Sequence, residues 1–336
     1  MARNDWSYSA LTMLRRCSRQ YYFSQVVASH HFTNPLRRKA FELRQTQNLS
    51  MWQGSVIDKI MEKYIMPSIS EGEEIDFEKM AQKAVDLAKA QYDFSLNKKY
   101  RDKTINKTKA ADLYCILDIH ESGVSYTQND IENVYDTVES ILNNIPEIYL
   151  DEARMPLLDY LQQATFIAAN VRNLFFEFEG RKVAPQIDLL AFINGKPVVI
   201  DWKVSKNKNS DYSKQLAMIG IAVLSDNRKK ANDNEVRKFH ATDVTLLEVN
   251  LWDGTIKKHE FNQDVISETV DYIFLNSGDE FYMTNGKDFK QINIADIPIT
   301  DKPSTCSTCK FRNLCNLLLQ NNFQYDEAKY NKLVRN

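Results

Sequence analysis

Residues 186–203 read QIDLLAFINGKPVVIDWK, two apolar runs separated by Asn194-Gly195. An Asn-Gly pair between such runs is typical of a two-residue β-hairpin, because a type I′ turn requires positive φ at both central residues. With this pair as the loop, Ile193 faces Lys196, and counting outward along both strands places Asp188 opposite Asp201. The sequence therefore predicts a hairpin that brings two carboxylates together.

The residues around this pair indicate a metal site. Lys203 lies two positions beyond Asp201 and projects from the same face of the strand. Two carboxylates that face each other repel unless a cation lies between them, and oxygen ligands suit a divalent metal. The alternative is a solvated edge hairpin, but the apolar run Val198–Trp202 favours a buried strand, where unpaired charges are costly.

Asp188, followed thirteen positions later by Asp201-x-Lys203, resembles the signature of the PD-(D/E)XK nuclease superfamily in its Asp-x-Lys form. The sequence of both strands is most similar to that of the RecB/AddB branch. The resemblance implies a restriction-endonuclease-like α/β core, with a mixed central sheet flanked by helices, and metal-dependent hydrolysis of DNA.

In that family's site, Asp188, Asp201 and the backbone carbonyl of Trp202 would bind Mg²⁺ or Mn²⁺, as the resemblance implies. Lys203 would orient or activate the attacking water. Burial would lower the pKa of Lys203 and the carboxylates would raise it, and the sequence leaves the balance open. We favour an electrostatic and positioning role for this lysine.

Gln215 matches the glutamine of the family's Gln-x-x-x-Tyr motif, which the resemblance implies helps to orient the site. Residues 211–224 have the apolar pattern of a buried helix. Ile219 stands where the tyrosine of the motif would be, so half of the motif is missing. The alternative for Gln215 is an ordinary surface glutamine at the start of a helix.

Asp58 lies in the helix-like segment 54–64, which resembles the family's Gly-x-x-Val-His helix. The histidine of that helix contributes a metal ligand in the family. A carboxylate is a harder ligand and suits Mg²⁺ or Mn²⁺, so Asp58 is a candidate ligand. The alternative is a solvent-facing residue in a weakened site, with Glu62, one helical turn further on, as the substitute acid.

Four cysteines form a second candidate site. Cys306, Cys309 and Cys315 are closely spaced near one end of the chain, and Cys17 lies near the other, while Cys115 stands apart. Such a set can hold an iron–sulfur cluster or zinc. The spacing resembles that of AddB-type and CRISPR adaptation nucleases, which implies a [4Fe–4S] cluster that joins the N- and C-terminal regions, with zinc as the alternative.

The organisation of the chain follows from its apolar periodicity and turn residues. Few glycines and no alternating strands occur from about residue 75 to 169, and segments 109–122 and 157–170 are among those that predict helices. Asp253-Gly254 predicts a second hairpin, and residues 226–243 a loop. We divide the chain into N-terminal core helices (1–66), a helical insertion (67–170), the nuclease core with the cysteine segment (171–320) and a polar tail (321–336).

Composition limits the class of protein. The chain has 336 residues, 43% hydrophobic and 26% charged, with a formal net charge of −2, values of a globular protein rather than a basic nucleic-acid coat. We find no apolar core of a signal peptide and no run long enough to span a membrane, and five cysteines do not make a disulfide scaffold, so we expect a cytoplasmic protein. The candidate DNA contacts near the first cysteine are Arg15, Arg16, Arg19 and Tyr21.

Three functions fit these observations. The first is a DNA nuclease, in particular an exonuclease acting on single-stranded DNA or DNA ends in recombination, repair, replication or defence. The second is a nuclease subunit that works only with a helicase or another subunit, because the chain has no Walker A motif of its own. The third is a nucleic-acid-binding protein with a weakened site, favoured by the missing histidine and tyrosine and opposed by the intact Asp188, Asp201 and Lys203.

Overall fold

The computed structural model of the protein describes residues 5–320 apart from 31–32, 151–153, 208–209, 231–238, 285–286 and 288–289. The polar tail predicted at 321–336 and residues 231–238 of the loop predicted at 226–243 lie outside the described residues. Within the part described, no helix has the length and apolar character needed to cross a membrane.

Strands and helices are numbered in chain order. The strands are β1 (Asp5–Trp6), β2 (Thr46–Gln47), β3 (Ile116–Leu117), β4 (Tyr149–Leu150), β5 (Met155–Pro156), β6 (Ala164–Val171), β7 (Phe176–Phe178), β8 (Arg181–Val183), β9 (Ile187–Ile193), β10 (Lys196–Lys203), β11 (Thr245–Asn250) and β12 (Thr255–His259). The α-helices are α1 (Tyr8–Arg16), α2 (Ser18–Tyr21), α3 (Pro35–Gln45), α4 (Leu49–Ile60), α5 (Met66–Glu71), α6 (Phe77–Leu96), α7 (Lys107–Ala110), α8 (Asp118–Glu121), α9 (Gln128–Asn144), α10 (Leu157–Gln162), α11 (Ser213–Lys230), α12 (Gln263–Thr284), α13 (Pro303–Ser307) and α14 (Arg312–Gln320). Two π-helical turns follow α2 and α4, at Tyr22–Val27 and Met61–Ile65.

The hairpin predicted around Asn194-Gly195 is confirmed. Strands β9 and β10 pair antiparallel from Ile193–Lys196 to Leu189–Ile200. Both turn residues have positive φ, 52° and 74°, as a type I′ turn requires. The register that the turn imposes leaves Asp188 and Asp201 at the open end of the hairpin.

A mixed five-stranded sheet surrounds this hairpin, in the order β12-β11-β10-β9-β6. Strand β10 runs parallel to β11 and antiparallel to β9, and β11 and β12 form the second predicted hairpin. Alternate residues of each strand point to opposite faces of the sheet, and helices cover both faces. Leu189 and Ile200 point into a core shared with α4, α6 and α9, whereas Leu190 and Val199 point into a core shared with α11. The chain thus has the mixed α/β architecture that the hairpin implied.

Two helix predictions were wrong. The segment 157–170 ends its helix at Gln162 and continues as β6, which pairs with β9 and completes the sheet edge. The segment 109–122 is broken by Ala111, whose φ of 49° is incompatible with a right-handed helix, and by the short strand β3. In both places a strand pairing with a distant part of the chain outweighs the local helical spacing. The predicted loop after residue 226 also begins later, since α11 extends to Lys230.

The two ends of the described chain meet in a third core. Side chains from residues 22–43 pack against side chains from residues 294–318, and the rings of Phe23 and Phe311 stack with centroids 5.7 Å apart. This packing brings the cysteine segment to the N-terminal helices. The division of the chain into four segments remains a prediction.

Gly220 allows α11 to lie close to the loop after β12. A Cβ built on Gly220 would come within 2.6 Å of Phe261 Cζ, and the Phe261 ring is buried. We therefore expect Gly220→Ala to lower the free energy of unfolding by about 1–3 kcal/mol, measured by urea denaturation. Gly54→Ala is the matched control, because Gly54 also lies inside a helix, α4, but its added Cβ would lie 3.9 Å from Val204, an ordinary contact. This variant should have equal stability, or a free energy of unfolding higher by up to about 1 kcal/mol. Equal stability of both variants would contradict this account of the packing.

Candidate active site

The open end of the β9–β10 hairpin carries two carboxylates. The backbone N–H of Trp202 donates to Asp188 Oδ2 over 3.0 Å. This hydrogen bond lies beyond Leu189–Ile200, the last residue pair of the two strands. Asp201 is only 1% exposed. Burial raises the pKa of Asp201, and it raises the pKa of Asp188 to about 8 with help from the neighbouring Asp201 and Asp58. Without a bound cation the site therefore retains protons at neutral pH.

Lys203 pairs directly with Asp201 through Nζ and Oδ2, and its side chain is 16% exposed. Burial acts to lower the pKa of Lys203, but Asp201 and Asp188 outweigh it, so the pKa is raised. The side chain therefore stays a cation. This balance, which the sequence left open, favours an electrostatic role over a base role.

Gln215, in the first turn of α11, donates from Nε2 to Asp201 Oδ1 over 3.0 Å. The structure thus places it in contact with the site rather than on an open surface. Ile219, which stands where the family motif has tyrosine, is fully buried in the core between α11 and the sheet.

Tyr212 is a neighbour that sequence reasoning missed. Its ring centroid lies 4.2 Å from Lys203 Nζ, a distance suited to a cation–π interaction. Its carbonyl accepts from the N–H of Leu216 at the start of α11. An aromatic residue just before a predicted helix gives no signal by itself, because only the fold brings it to the lysine.

Asp58 reaches the same site from α4. Asp58, Glu62, Asp188 and Trp202 line one cavity of about 130 Å³. Asp58 keeps contact with solvent there, yet the surrounding protein raises its pKa to about 7, with Asp201 also raising it and Lys203 opposing. The helix and the hairpin thus contribute carboxylates, Asp58 and Asp188, to the same cavity.

Two further groups were not identified from the sequence. Asn170 Nδ2, at the end of β6, donates to Glu62 Oε1 over 2.8 Å and so holds that acid at the cavity wall. Glu248 on β11 is the register partner of Asp201 and lies 2.8 Å from His259 Nε2. Asn170 was hidden by the wrong helix prediction, and Glu248 became relevant only through the parallel pairing.

The donors present fit a hard divalent cation. Asp201 Oδ2 is buried beside Lys203 but accepts no hydrogen bond of normal geometry, so one carboxylate oxygen has unused acceptor capacity. The cavity has room for an ion with a few waters, since a water in the liquid takes about 30 Å³, and Mg²⁺ commonly keeps several. Within the described ranges, no group of three or more His, Cys, Asp or Glu side chains is placed to hold a metal ion. Asp58 and Asp188 line the cavity, and Asp201 is buried behind it, so the three carboxylates do not converge on one point.

The four predicted cluster cysteines lie around a separate cavity of about 220 Å³, lined by Cys17, Cys306, Cys309 and Cys315. Burial raises the pKa of both Cys309 and Cys315, and a hydrogen bond from Arg19 acts in the opposite direction on Cys315. Cys115 is buried elsewhere, in the core beside α4 and α6. Thiols almost 300 positions apart in the chain thus line one cavity, but among the described residues no three of them are placed to hold a metal ion.

The four candidate DNA contacts have different surroundings. Arg15 Nε donates to Asn276 Oδ1 over 2.6 Å, and Arg19 Nε donates to the Ile297 carbonyl over 2.9 Å. Tyr21 is buried in a small core with Ala10 and Leu14. Arg16 is exposed, and its Nη2 donates to Thr308 Oγ1 over 3.1 Å. All three arginines thus have contacts within the fold, and Arg15 and Arg16 also face solvent.

One protein-family model matches this chain, and two solved structures align with part of it. The chain matches the family model of the PD-(D/E)XK nuclease superfamily over residues 5–316 and belongs to that superfamily. The solved structure of SSO0001 aligns with 69% of this chain and 83% of its own at 14% identity, with a TM-score of 0.24. Protein VC1899 from Vibrio cholerae aligns with 70% of this chain and 57% of its own at 10% identity, with a TM-score of 0.21. No curated protein matches the chain.

The raised pKa values make metal binding depend on pH. Asp188 and Asp58, with pKa values of about 8 and about 7, hold protons at pH 6 that a cation must displace. We expect Mn²⁺ affinity to rise between pH 6 and 8, by up to about tenfold per pH unit for each displaced proton, and to level off above pH 8. Calorimetry in buffers of different ionisation enthalpy measures both the affinity and the protons released.

Two variants separate this effect from general surface charge. Asp58→Asn should reduce the number of protons released near pH 7. Glu177→Gln removes an exposed carboxylate on β7 and should leave the pH profile unchanged. A Mn²⁺ affinity that is constant from pH 6 to 8 would show that these acids are not ligands.

Proposed function

We propose that this chain is a Mg²⁺- or Mn²⁺-dependent deoxyribonuclease of the RecB/AddB-like branch, acting as an exonuclease on single-stranded DNA or DNA ends. The observation that carries the proposal is the buried Asp201–Lys203 pair, oriented by Gln215 and facing Asp188 across the end of a hairpin. Two carboxylates that can bind a metal, with Asp188 at a solvent cavity, and a retained cation are groups suited to phosphodiester hydrolysis.

Asp188 and Asp201 would hold the metal, with the Trp202 carbonyl as a further ligand and Asp58 completing the set from α4. The metal would supply Lewis-acid activation of water and neutralise charge at the phosphate. Gln215 donates to one oxygen of Asp201, and the second oxygen is directed at Lys203. The carboxylate therefore cannot rotate freely between ligands.

Lys203 would stabilise the negative charge that grows on the scissile phosphate and position the attacking water. Because its pKa is raised, it remains charged throughout the pH range in which Asp188 and Asp58 lose their protons. The ring of Tyr212 packs over the ammonium and limits where it can move. Proton removal from water then falls to a carboxylate or to solvent rather than to this lysine.

The decisive experiment incubates oxygen-free protein with end-labelled single- and double-stranded DNA in Mg²⁺, Mn²⁺ or EDTA. We expect metal-dependent cleavage that Lys203→Ala lowers by about 10²–10³-fold or more, because a preorganised charge at the phosphate is lost. Lys196→Ala is the matched control, since Lys196 lies at the other end of the same strand, is 59% exposed and pairs with Asp243. Full activity in Lys203→Ala would refute the assignment, whereas inactivity of folded, metal-loaded wild type would favour a subunit that needs a helicase or other partner, or a binding-only protein.

We also propose that the four-cysteine cavity holds a [4Fe–4S] cluster. The proposal is supported by the four cysteines that line one cavity of about 220 Å³ and by the resemblance of their spacing to that of AddB-type nucleases, with zinc as the alternative. Such a cluster would tie Cys17 to Cys306 and close a loop of most of the chain, worth roughly 5–6 kcal/mol as an upper value. The third core already holds the same two regions together, so the measured effect should be smaller.

Cys309→Ala should therefore lower iron and sulfide content together with thermal stability, while changing the metal dependence of cleavage less. Cys115→Ala is the control, because this cysteine is buried outside the cavity and should leave iron content unchanged. Iron, zinc and acid-labile sulfide are measured on anaerobically purified protein, with visible absorbance and thermal melting. Zinc without iron in the wild type would establish the zinc alternative, and full metal content with unchanged stability in Cys309→Ala would exclude the clasp.

A further inference from the structure

A larger cavity of about 1000 Å³ lies at the opposite end of α4 from the aspartates. Its walls come from the N-terminal helices, from the segment around α6 and α8, and from the cysteine segment. We call it the basic groove, because six cationic side chains and two carboxylates line it. The cations are Arg16, Lys39, Lys98, Arg101, Lys310 and Arg312.

The positive charge of the basic groove is not neutralised internally. Glu121 is already paired with both Lys39 and Arg101. By contrast Arg16, Lys98 and Arg312 are exposed, and they form no ion pair with any residue in the part of the chain that the structure describes. Three cations at the surface of a chain with net charge −2 are therefore available to an anionic ligand.

Apolar side chains stand beside these cations. Met51 is 53% exposed and Val124 is 48% exposed, and both line the groove. A small inorganic anion would make no use of such surface, whereas the sugars and bases of an unpaired nucleic-acid strand would cover it. The volume is at the upper limit for a drug-sized ligand, which fits a segment of a few nucleotides.

One face of α4 connects the basic groove to the aspartates. Met51, Ser55 and Asp58 follow at intervals of four and three positions and so lie in one row on the helix. The row begins at the groove, which Met51 lines, and ends at the active-site cavity, which Ser55 and Asp58 line. From Asn48 to Asp58 the helix rises about 15 Å. The opposite face of α4, with Trp52, is buried in the first core.

Cations also flank the route at the end nearer the aspartates. Lys59 and Arg172 line the active-site cavity. Lys59 is paired with Glu62 and Asp112, whereas Arg172 is exposed and donates from Nε to Asn170 Oδ1 over 2.8 Å. Arg172 thus adds a positive charge at the active-site end of the route.

We propose that the basic groove binds the phosphodiester backbone of single-stranded DNA and that the strand continues along the Met51–Asp58 row to the active site. The inference rests on the proposed nuclease function for the identity of the polyanion. A strand in this path would contact the groove a few phosphates away from the scissile bond, because the two ends of the row on α4 are about 15 Å apart.

The test measures binding separately from cleavage. A fluorescent deoxythymidine oligonucleotide of about 15 nucleotides, long enough to fill both sites, is titrated in EDTA at several salt concentrations. Arg16→Gln/Lys98→Gln/Arg312→Gln should weaken binding at least about tenfold and reduce the slope of log K against log salt by about 2, since three phosphate contacts are lost. Lys79→Gln/Lys89→Gln/Lys258→Gln removes three exposed lysines outside the groove and should bind like wild type.

Cleavage then reports on the path. With Mg²⁺ or Mn²⁺, the groove variant should show a raised KM and an unchanged kcat on the long oligonucleotide, and wild-type kinetics on one of about three nucleotides that reaches only the active site. Because Arg312 also lines the cysteine cavity, iron content is checked, and Lys98→Glu, which lies away from the cysteines, repeats the measurement.

The outcomes separate the two proposals. If wild type cleaves DNA, and if the groove variant and Lys98→Glu both bind with wild-type affinity and salt slope, the groove proposal is wrong and the nuclease proposal stands. Wild type that binds but does not cleave, with binding lost in the groove variant, would support the groove and count against the nuclease.

Discussion

The register of one hairpin determines the chemistry that this fold can perform. Side chains on a strand alternate between faces, so a shift of a single residue between β9 and β10 would turn either Asp188 or Asp201 away from the site. Asn194-Gly195 prevents the shift, because both residues adopt the positive φ that a two-residue turn needs. The turn aligns Asp188 with Asp201, and the other groups of the site, such as Gln215 and Asp58, lie around these two aspartates.

Burial of the Asp188–Asp201 pair lowers the stability of the folded protein. Asp201 is almost inaccessible, and the protein compensates with Lys203, with the amide of Gln215 and with a strand N–H directed at Asp188. The compensation is incomplete, since one oxygen of Asp201 lacks a hydrogen bond and the pKa of Asp188 is raised to about 8. In the absence of metal, these acids favour the folded state only while they are protonated. Their contribution to the free energy of unfolding is therefore lost as the pH rises from their pKa values in the unfolded chain towards about 8. A bound divalent cation would remove that dependence and supply the missing interaction.

Local signals in the sequence were enough for the hairpin, the second turn at Asp253-Gly254 and the buried helix that carries Gln215. They failed where pairing with a distant strand decides the structure. Residues 164–171 have helical spacing, yet β9 needs a neighbour at its free edge and β6 supplies it. The same limit explains Tyr212 and Glu248, whose positions beside Lys203 and Asp201 depend on the packing of α11 and the parallel pairing of β11. Spacing could group the cysteines but could not say how far apart their sulfurs lie.

The stacked rings of Phe23 and Phe311 join residues separated by nearly the full described chain. Contacts of such long sequence separation carry the largest loop-closure entropy and form late in folding. During synthesis, the N-terminal helices would therefore leave the ribosome with their apolar side chains uncovered until the cysteine segment emerges. The side chains of Tyr22, Phe23 and Val27 thus stay uncovered in the nascent chain until residues 294–318 have emerged, and during that time they present an apolar surface that a chaperone can bind.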